Sequence, residues 1–307
     1  MSFSAIFPGQ GSQKTGMGKD FFDNSKIARE MVERASVRLD VDFENLLFEK
    51  NDKLELTQFA QPSILLVSLI SYRLFHDELG LNPDFFLGHS LGEFSALSSS
   101  GALEYLDAIE LVYNRGLLMS KACEGKNAGM MVLLGLSDEK AEEIVKSAQD
   151  NSKQVWAVNY NCDGQIVVAG EKEDLASIQN QFKEAGAKRA MLLNMSVASH
   201  CPMLESAQSG LKEYLQRFIK DEFSAPIISN VTAEPYSTKV EAIKLLNAQL
   251  VSPVLYKQSI KKIEDNTDKF IEFGGSVLKG INKKITKKET ISILDMDSLQ
   301  KAIAEFK

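Results

Sequence analysis

Apolar positions recur along this chain in short unbroken runs and in runs spaced by three and four residues, and the two kinds alternate. That alternation predicts strands interleaved with helices, the grammar of an α/β protein. Phe3–Phe7 reads as an opening strand, stopped by Pro8 and the loop Gly9-Gln10-Gly11-Ser12-Gln13. Ile27, Met31, Ala35 and Leu39 share one face of a helix over 21–39. Pro62 at a first turn and Gly80 past an end bracket a helix rich in Ile64, Leu65, Leu69 and Leu74, apolar enough around its circumference to belong in the core. A short apolar strand at 84–87 leads into Gly88-His89-Ser90-Leu91-Gly92, and Glu93 opens a helix that Gly101 closes. Another helix covers 103–123.

From Ala128 the order changes. Strands at 129–136, 155–159, 165–170 and 189–193 and helices at 138–149 and 172–185 give β-α-β-β-α-β, the split arrangement of a ferredoxin-like unit. The turn between the middle strands is Asn161-Cys162-Asp163-Gly164. We therefore expect a small α+β domain at 126–196 inserted into a discontinuous larger domain of 1–125 and 197–307. The α/β pattern then resumes with a helix at 204–219, a strand at 227–230, a helix at 240–250 stopped before Pro253, and the strand Lys269–Phe273 ending in Gly274-Gly275. A helix, a strand at 291–294 and a tail finish the chain.

A length of 307 residues allows two folding units, and 44% hydrophobic with 25% charged residues is the balance of a soluble globular protein. No apolar run reaches the length of a membrane span, and Met1-Ser2-Phe3-Ser4 enters the first strand without a basic start or cleavage site. Cys123, Cys162 and Cys201 are widely spaced, cannot all be bridged and show no metal-ligand pairing, which points to a reducing cytoplasm and no metal. A net charge of −7 argues against nucleic acid as a partner. One stretch opposes that balance: Lys279, Lys283, Lys284, Lys287 and Lys288 have no acid among them.

Strand, G-x-S-x-G and helix together read as a nucleophile elbow. The tight turn lifts the Ser90 hydroxyl clear of the sheet, and the amide of Leu91 points toward a developing oxyanion. Serine needs a base, and the chain holds only three histidines. His76 reads as a surface residue and His89, beside Ser90 on a turn, as structural. His200, in a loop between strand and helix, is left as the base. No acid between Ser90 and His200 stands at a strand end, so a dyad oriented by a backbone or amide oxygen competes with a full triad. Arg115 falls on the apolar face formed by Ala108, Leu111, Val112 and Met119. Either it meets a structural carboxylate, or its planar fork binds an anionic substrate. Gln10 follows the first strand, where α/β enzymes often supply a second oxyanion amide; as a phosphate loop its segment lacks the Walker Lys-Ser/Thr.

Taken together these segments resemble the malonyl-CoA:acyl carrier protein transacylases and the related acyltransferase domains of polyketide synthases. The matching stretches are Phe7 to Gln13, Gly88 to Leu97, Arg115-Gly116, Val158-Asn159-Tyr160-Asn161, Gln165 to Gly170, Ser199-His200-Cys201, and Gln249-Leu250 with Pro253. The resemblance implies a hydrolase-like α/β large domain with a parallel sheet, carrying the ferredoxin-like insert. It implies Ser90 as acylated nucleophile, His200 as base, and Gln10 and Leu91 as oxyanion amides. Arg115 would grip a free malonyl carboxylate, with Gln249, Asn159 and Asn161 also at the substrate and Gln249 beside His200.

The implied reaction is ping-pong transfer of malonyl from coenzyme A to the phosphopantetheine thiol of acyl carrier protein, for fatty acid synthesis, without a cofactor. We also expect a cytoplasmic monomer, and because acyl carrier proteins are acidic while this chain is net acidic, the densest basic run offers Lys283, Lys284 and Lys287 as the carrier's docking site. Ala198 stands where bacterial members usually have proline, and Val197-Ala198-Ser199-His200 is similar to the signature of polyketide acyltransferases that take branched extender units. The same elbow with water as acceptor would make a serine hydrolase, which gives Arg115 no purpose.

Overall fold

The computed structural model describes residues 2–195 and 197–307; Met1 and Ser196, the last residue of the expected insert, lie outside the described residues. Among the described residues ten strands form two sheets. The larger contains β1 (Phe3–Phe7), β2 (Phe86–Gly88), β7 (Ile227–Ile228), β8 (Pro235–Tyr236), β9 (Lys269–Phe273) and β10 (Glu289–Ile293), in the order β10-β9-β1-β2-β7-β8. Its pairings are parallel except at the edge, where β8 turns back on β7. Every residue of β1 and β9 is buried, as expected for parallel strands covered by helices on both faces. The smaller sheet, of β3 (Ala128–Leu134), β4 (Val155–Cys162), β5 (Gln165–Glu171) and β6 (Arg189–Leu192), runs β4-β5-β3-β6 and is antiparallel throughout.

Alternation along the small sheet decides where it packs. Met131, Leu133, Ile166 and Val168 face the helices Asp138–Asp150 and Lys172–Glu184 and close a separate core with Leu175, Ile178 and Phe182. Met130, Val167 and Ala169 point the other way and join the main core. Backbone bonds also stitch β4 to the segment after Pro253: Val254 N donates to Val158 O at 2.8 Å and Tyr160 N to Val254 O at 3.0 Å.

Several expected boundaries move for local reasons. The helix expected at 21–39 is two, Lys19–Asn24 and Lys26–Leu39, because Ser25 turns extended and caps the second through Ala28 N. Pro62 does not open its helix but stands inside Thr57–Leu79, where it leaves the carbonyl four residues back without its donor. The turn between β4 and β5 is only Asp163-Gly164, since Asn161 and Cys162 remain in strand. The helix expected at 204–219 begins as a 3₁₀ segment, Pro202–Ala207, before the α-helix Gln208–Phe218. The tail is the helix Met296–Phe306, started by a capping box between Asp295 and Ser298. Tyr256–Ile263 is a helix the apolar spacing had not revealed. Among the described residues no helix is long and apolar enough to cross a membrane.

Candidate active site

The elbow forms where β2 meets the helix Gly92–Ser99. Ser90 sits at φ 52°, a conformation costly for a side-chain-bearing residue and held here by its surroundings. A Cβ on Gly88 would overlap the Gly92 backbone, and one on Gly92 would overlap the Phe7 carbonyl of β1. Both glycines are therefore steric requirements of the turn. Asn230, just beyond β7, clamps the turn from both sides. Its Oδ1 accepts from Ser90 N at 2.7 Å and its Nδ2 donates to Gly88 O at 2.6 Å.

His200 is buried and also has a left-handed backbone, φ 64°. Its Nε2 lies 2.7 Å from Ser90 Oγ and its Nδ1 2.7 Å from the Gln249 carbonyl oxygen. The third member of the arrangement is thus a backbone oxygen at the end of the helix Lys239–Gln249. Burial, the nearby Arg115 charge and His89 push the imidazole down to about 3 against the pull of that carbonyl, so it is neutral at ordinary pH.

Arg115 is 1% exposed, the largest of the fully buried side chains. Gly116 makes its position possible: a Cβ there would collide with Thr57 and Gln58, so only glycine lets the helices Thr57–Leu79 and Tyr105–Ala122 approach this closely. Nη1 donates to Gln61 Oε1 at 2.8 Å, and Nη2 to Gln249 Oε1 at 3.1 Å and Ser90 Oγ at 3.5 Å. The guanidinium carbon lies 5.1 Å from the centre of the Phe94 ring. All three acceptors are neutral, and Nε has no partner among the described residues. Burial lowers the guanidinium to about 10, so it remains a cation.

Gln249 ties these parts together. Its Nε2 donates to Ser90 O at 3.1 Å and Glu93 Oε2 at 2.8 Å, while its Oε1 faces Arg115. Glu93 is wholly buried and also accepts from Asn230 N at 3.1 Å and Tyr236 OH at 3.1 Å. Burial raises its carboxyl to about 7 against these donors and Arg115. Sequence reasoning missed Glu93, Asn230 and Gln61.

The structure brings Ser90, His200, Arg115 and Gln249 into one cluster. Gln10 follows Gly9, where a Cβ would run into the His89 backbone, so its loop lies against the elbow; its side chain donates to Thr57 Oγ1 at 3.3 Å. Among the described residues neither the Leu91 nor the Gln10 amide donates a hydrogen bond. Asn159 and Asn161 turn to His89 instead of Ser90: His89 Nε2 lies 2.8 Å from Asn161 Oδ1 and 3.5 Å from Asn159 Nδ2. Lys283, Lys284 and Lys287 are exposed and lie apart from the cluster, in the turn after the helix Val277–Asn282 and not on a helix. No group of three or more His, Cys, Asp or Glu able to hold a metal exists among the described residues. Two cavities, of about 690 and 630 Å³, lie elsewhere, one against Tyr72 and Tyr105 and one beside Gly11 and Gly274.

An acyl transferase domain family model matches residues 5–291. A malonyl CoA-acyl carrier protein transacylase of Bacillus subtilis is 36% identical over 306 residues, 98% of this chain and 96% of that protein. The crystal structure of malonyl-CoA:acyl carrier protein transacylase from Helicobacter pylori superposes with a TM-score of 0.96 at 46% identity, covering 99% of this chain and 98% of the other. A malonyl-transacylase in complex with a type II polyketide acyl-carrier protein gives 0.95 at 32% identity, over 99% and 100%. With its elbow, its carbonyl-held histidine and a fold shared from end to end, the chain belongs to the acyl transferase family, alongside the malonyl CoA-acyl carrier protein transacylases.

Proposed function

We propose that this protein transfers a malonyl group from coenzyme A to the phosphopantetheine thiol of an acyl carrier protein, supplying extender units for fatty acid synthesis. The observation that carries the reading is Arg115: a buried cation bound only to neutral oxygens, 3.5 Å from Ser90 Oγ. A substrate with a free carboxylate satisfies it; an uncharged acyl chain does not.

The reaction runs in two halves. Ser90 Oγ attacks the thioester carbonyl carbon while its proton passes to His200 Nε2. The oxyanion that forms is held by the amides of Leu91 and Gln10. The C–S bond breaks, and the departing thiolate takes the proton from His200. The carrier thiol then gives its proton to His200 and attacks the acyl-serine, and Ser90 leaves with that proton. Written this way the chemistry balances without a metal or redox cofactor. Gln61 and Gln249 steady the guanidinium, and Asn159 and Asn161 serve the substrate through the His89 side of the elbow.

Residues 126–196 act as a domain inserted between the two parts, 1–125 and 197–307, of the catalytic domain; the separate core of the small sheet supports that division. The enzyme works as a cytoplasmic monomer, with the carrier docking on Lys283, Lys284 and Lys287.

Intact mass after incubation with malonyl-, methylmalonyl- and acetyl-CoA tests the assignment. A malonyl adduct that forms fastest and is absent from Ser90→Ala supports it. Equal labelling by all three, or a persistent adduct on Ser90→Ala, refutes it.

A further inference from the structure

The dyad has a charge problem. When Ser90 gives up its proton, His200 becomes an imidazolium in a buried site. In a Ser-His-Asp triad a carboxylate stabilises that cation. Here Nδ1 faces only the neutral Gln249 carbonyl. Arg115 makes matters worse. Its Nη2 is 3.5 Å from Ser90 Oγ and His200 Nε2 is 2.7 Å from the same oxygen, so a fixed cation and a nascent one flank one atom. Glu93 fills the gap only in part: its carboxylate receives Gln249, Asn230 and Tyr236 and makes no hydrogen bond to His200 or Arg115 among the described residues, and although its charge favours the guanidinium, burial raises the carboxyl itself to about 7.

We propose that the substrate's own carboxylate, seated on Arg115, supplies the negative charge that a triad acid supplies elsewhere, and so switches His200 on as a base. The proposal rests on the malonyl reading above and adds a second role to the same contact. An acyl group without a carboxylate is then discriminated against in the chemical step as well as in binding, because it leaves the guanidinium only partly offset, by the Glu93 charge, when the imidazolium forms. The low proton affinity of His200 in the empty enzyme, with Arg115 among its causes, agrees with this. Selectivity and base activation are one electrostatic device.

Formate is a carboxylate small enough to occupy the seat beside an acetyl group, and it tests the idea directly. The rate of Ser90 acetylation is measured by intact mass at saturating acetyl-CoA, with sodium formate or sodium chloride at equal ionic strength. Malonylation is followed in parallel. Formate is expected to compete with malonyl-CoA and yet to speed acetylation, on the order of tenfold, for removal of one repulsive charge in a low-dielectric site. Arg115→Met is expected to acetylate faster than wild type and to ignore formate.

If formate competes with malonyl-CoA but leaves acetylation unchanged or slower, the switching role is wrong while the binding role stands. If formate does not compete, the assignment of Arg115 falls and the switch with it. Equal acceleration in wild type and Arg115→Met would make the effect a general one of the salt and would overturn the proposal. The formate series on wild type decides the matter even if the variant does not fold.

Discussion

His200 Nδ1 lies 2.7 Å from the carbonyl oxygen of Gln249, and that contact fixes the tautomer of the base. A carbonyl can only accept, so Nδ1 carries the proton and Nε2 presents its lone pair to Ser90 Oγ. The hydroxyl therefore donates to the ring, which is the polarity that general-base attack requires.

This arrangement predicts the pH dependence of acylation. The folded-state affinity of His200 for a proton is lowered, so the base stays neutral as pH falls through the ordinary histidine range and charges only near about 3. The kcat/KM for acylation by malonyl-CoA, which reports the free enzyme, should show no His200 limb centred near the usual value of about 6.5. A single-proton loss of activity near that pH that persists in Glu93→Gln, and so does not come from the Glu93 carboxyl raised to about 7, would contradict the assigned environment.

Arg115→Ala should lower kcat/KM for malonyl transfer by about 2–5 kcal/mol, the scale for losing one partner of a buried charged contact. Acetyl transfer should rise, because acetyl offers no carboxylate and the charge that opposes the His200 imidazolium is gone. Steady-state kinetics with both thioesters checks this, and equal losses would make Arg115 a structural residue.

Lys283, Lys284 and Lys287 are exposed on a chain whose net charge is −7. Replacing all three with glutamate should raise the KM for an acidic carrier protein and flatten its salt dependence, since steering acts on encounter and is screened. Acylation by malonyl-CoA should be nearly unaffected. Normal carrier kinetics across a salt series would move docking to another face.

What was legible in the sequence was local. The elbow shows because its five-residue spacing is set within the turn, where Gly88 answers a clash with Gly92, and the small sheet shows because alternation and turn residues repeat within it. Arg115 was visible as a charge on an apolar face. What stayed hidden was long-range. Asn230 meets the Ser90 amide across 140 positions, and Gln249 meets its carbonyl across 159. Glu93 looked like an ordinary acid in a helix's first turn until Tyr236 and Gln249 were found on it. The closing helix carries both a capping box between Asp295 and Ser298 and an apolar stripe of Met296, Leu299, Ile303 and Phe306, so it was within reach of the spacing rule that found other helices.

The most direct measurement of the central claim is the fate of the isolated acyl-enzyme. Malonyl-Ser90 enzyme, freed of coenzyme A, is mixed with phosphopantetheinylated acyl carrier protein or with buffer alone, and both proteins are weighed over time. A transferase should move its malonyl mass to the carrier far faster than water removes it, and return to its unmodified mass. Release of free malonate at the same rate with and without carrier would contradict the account and make the protein a hydrolase.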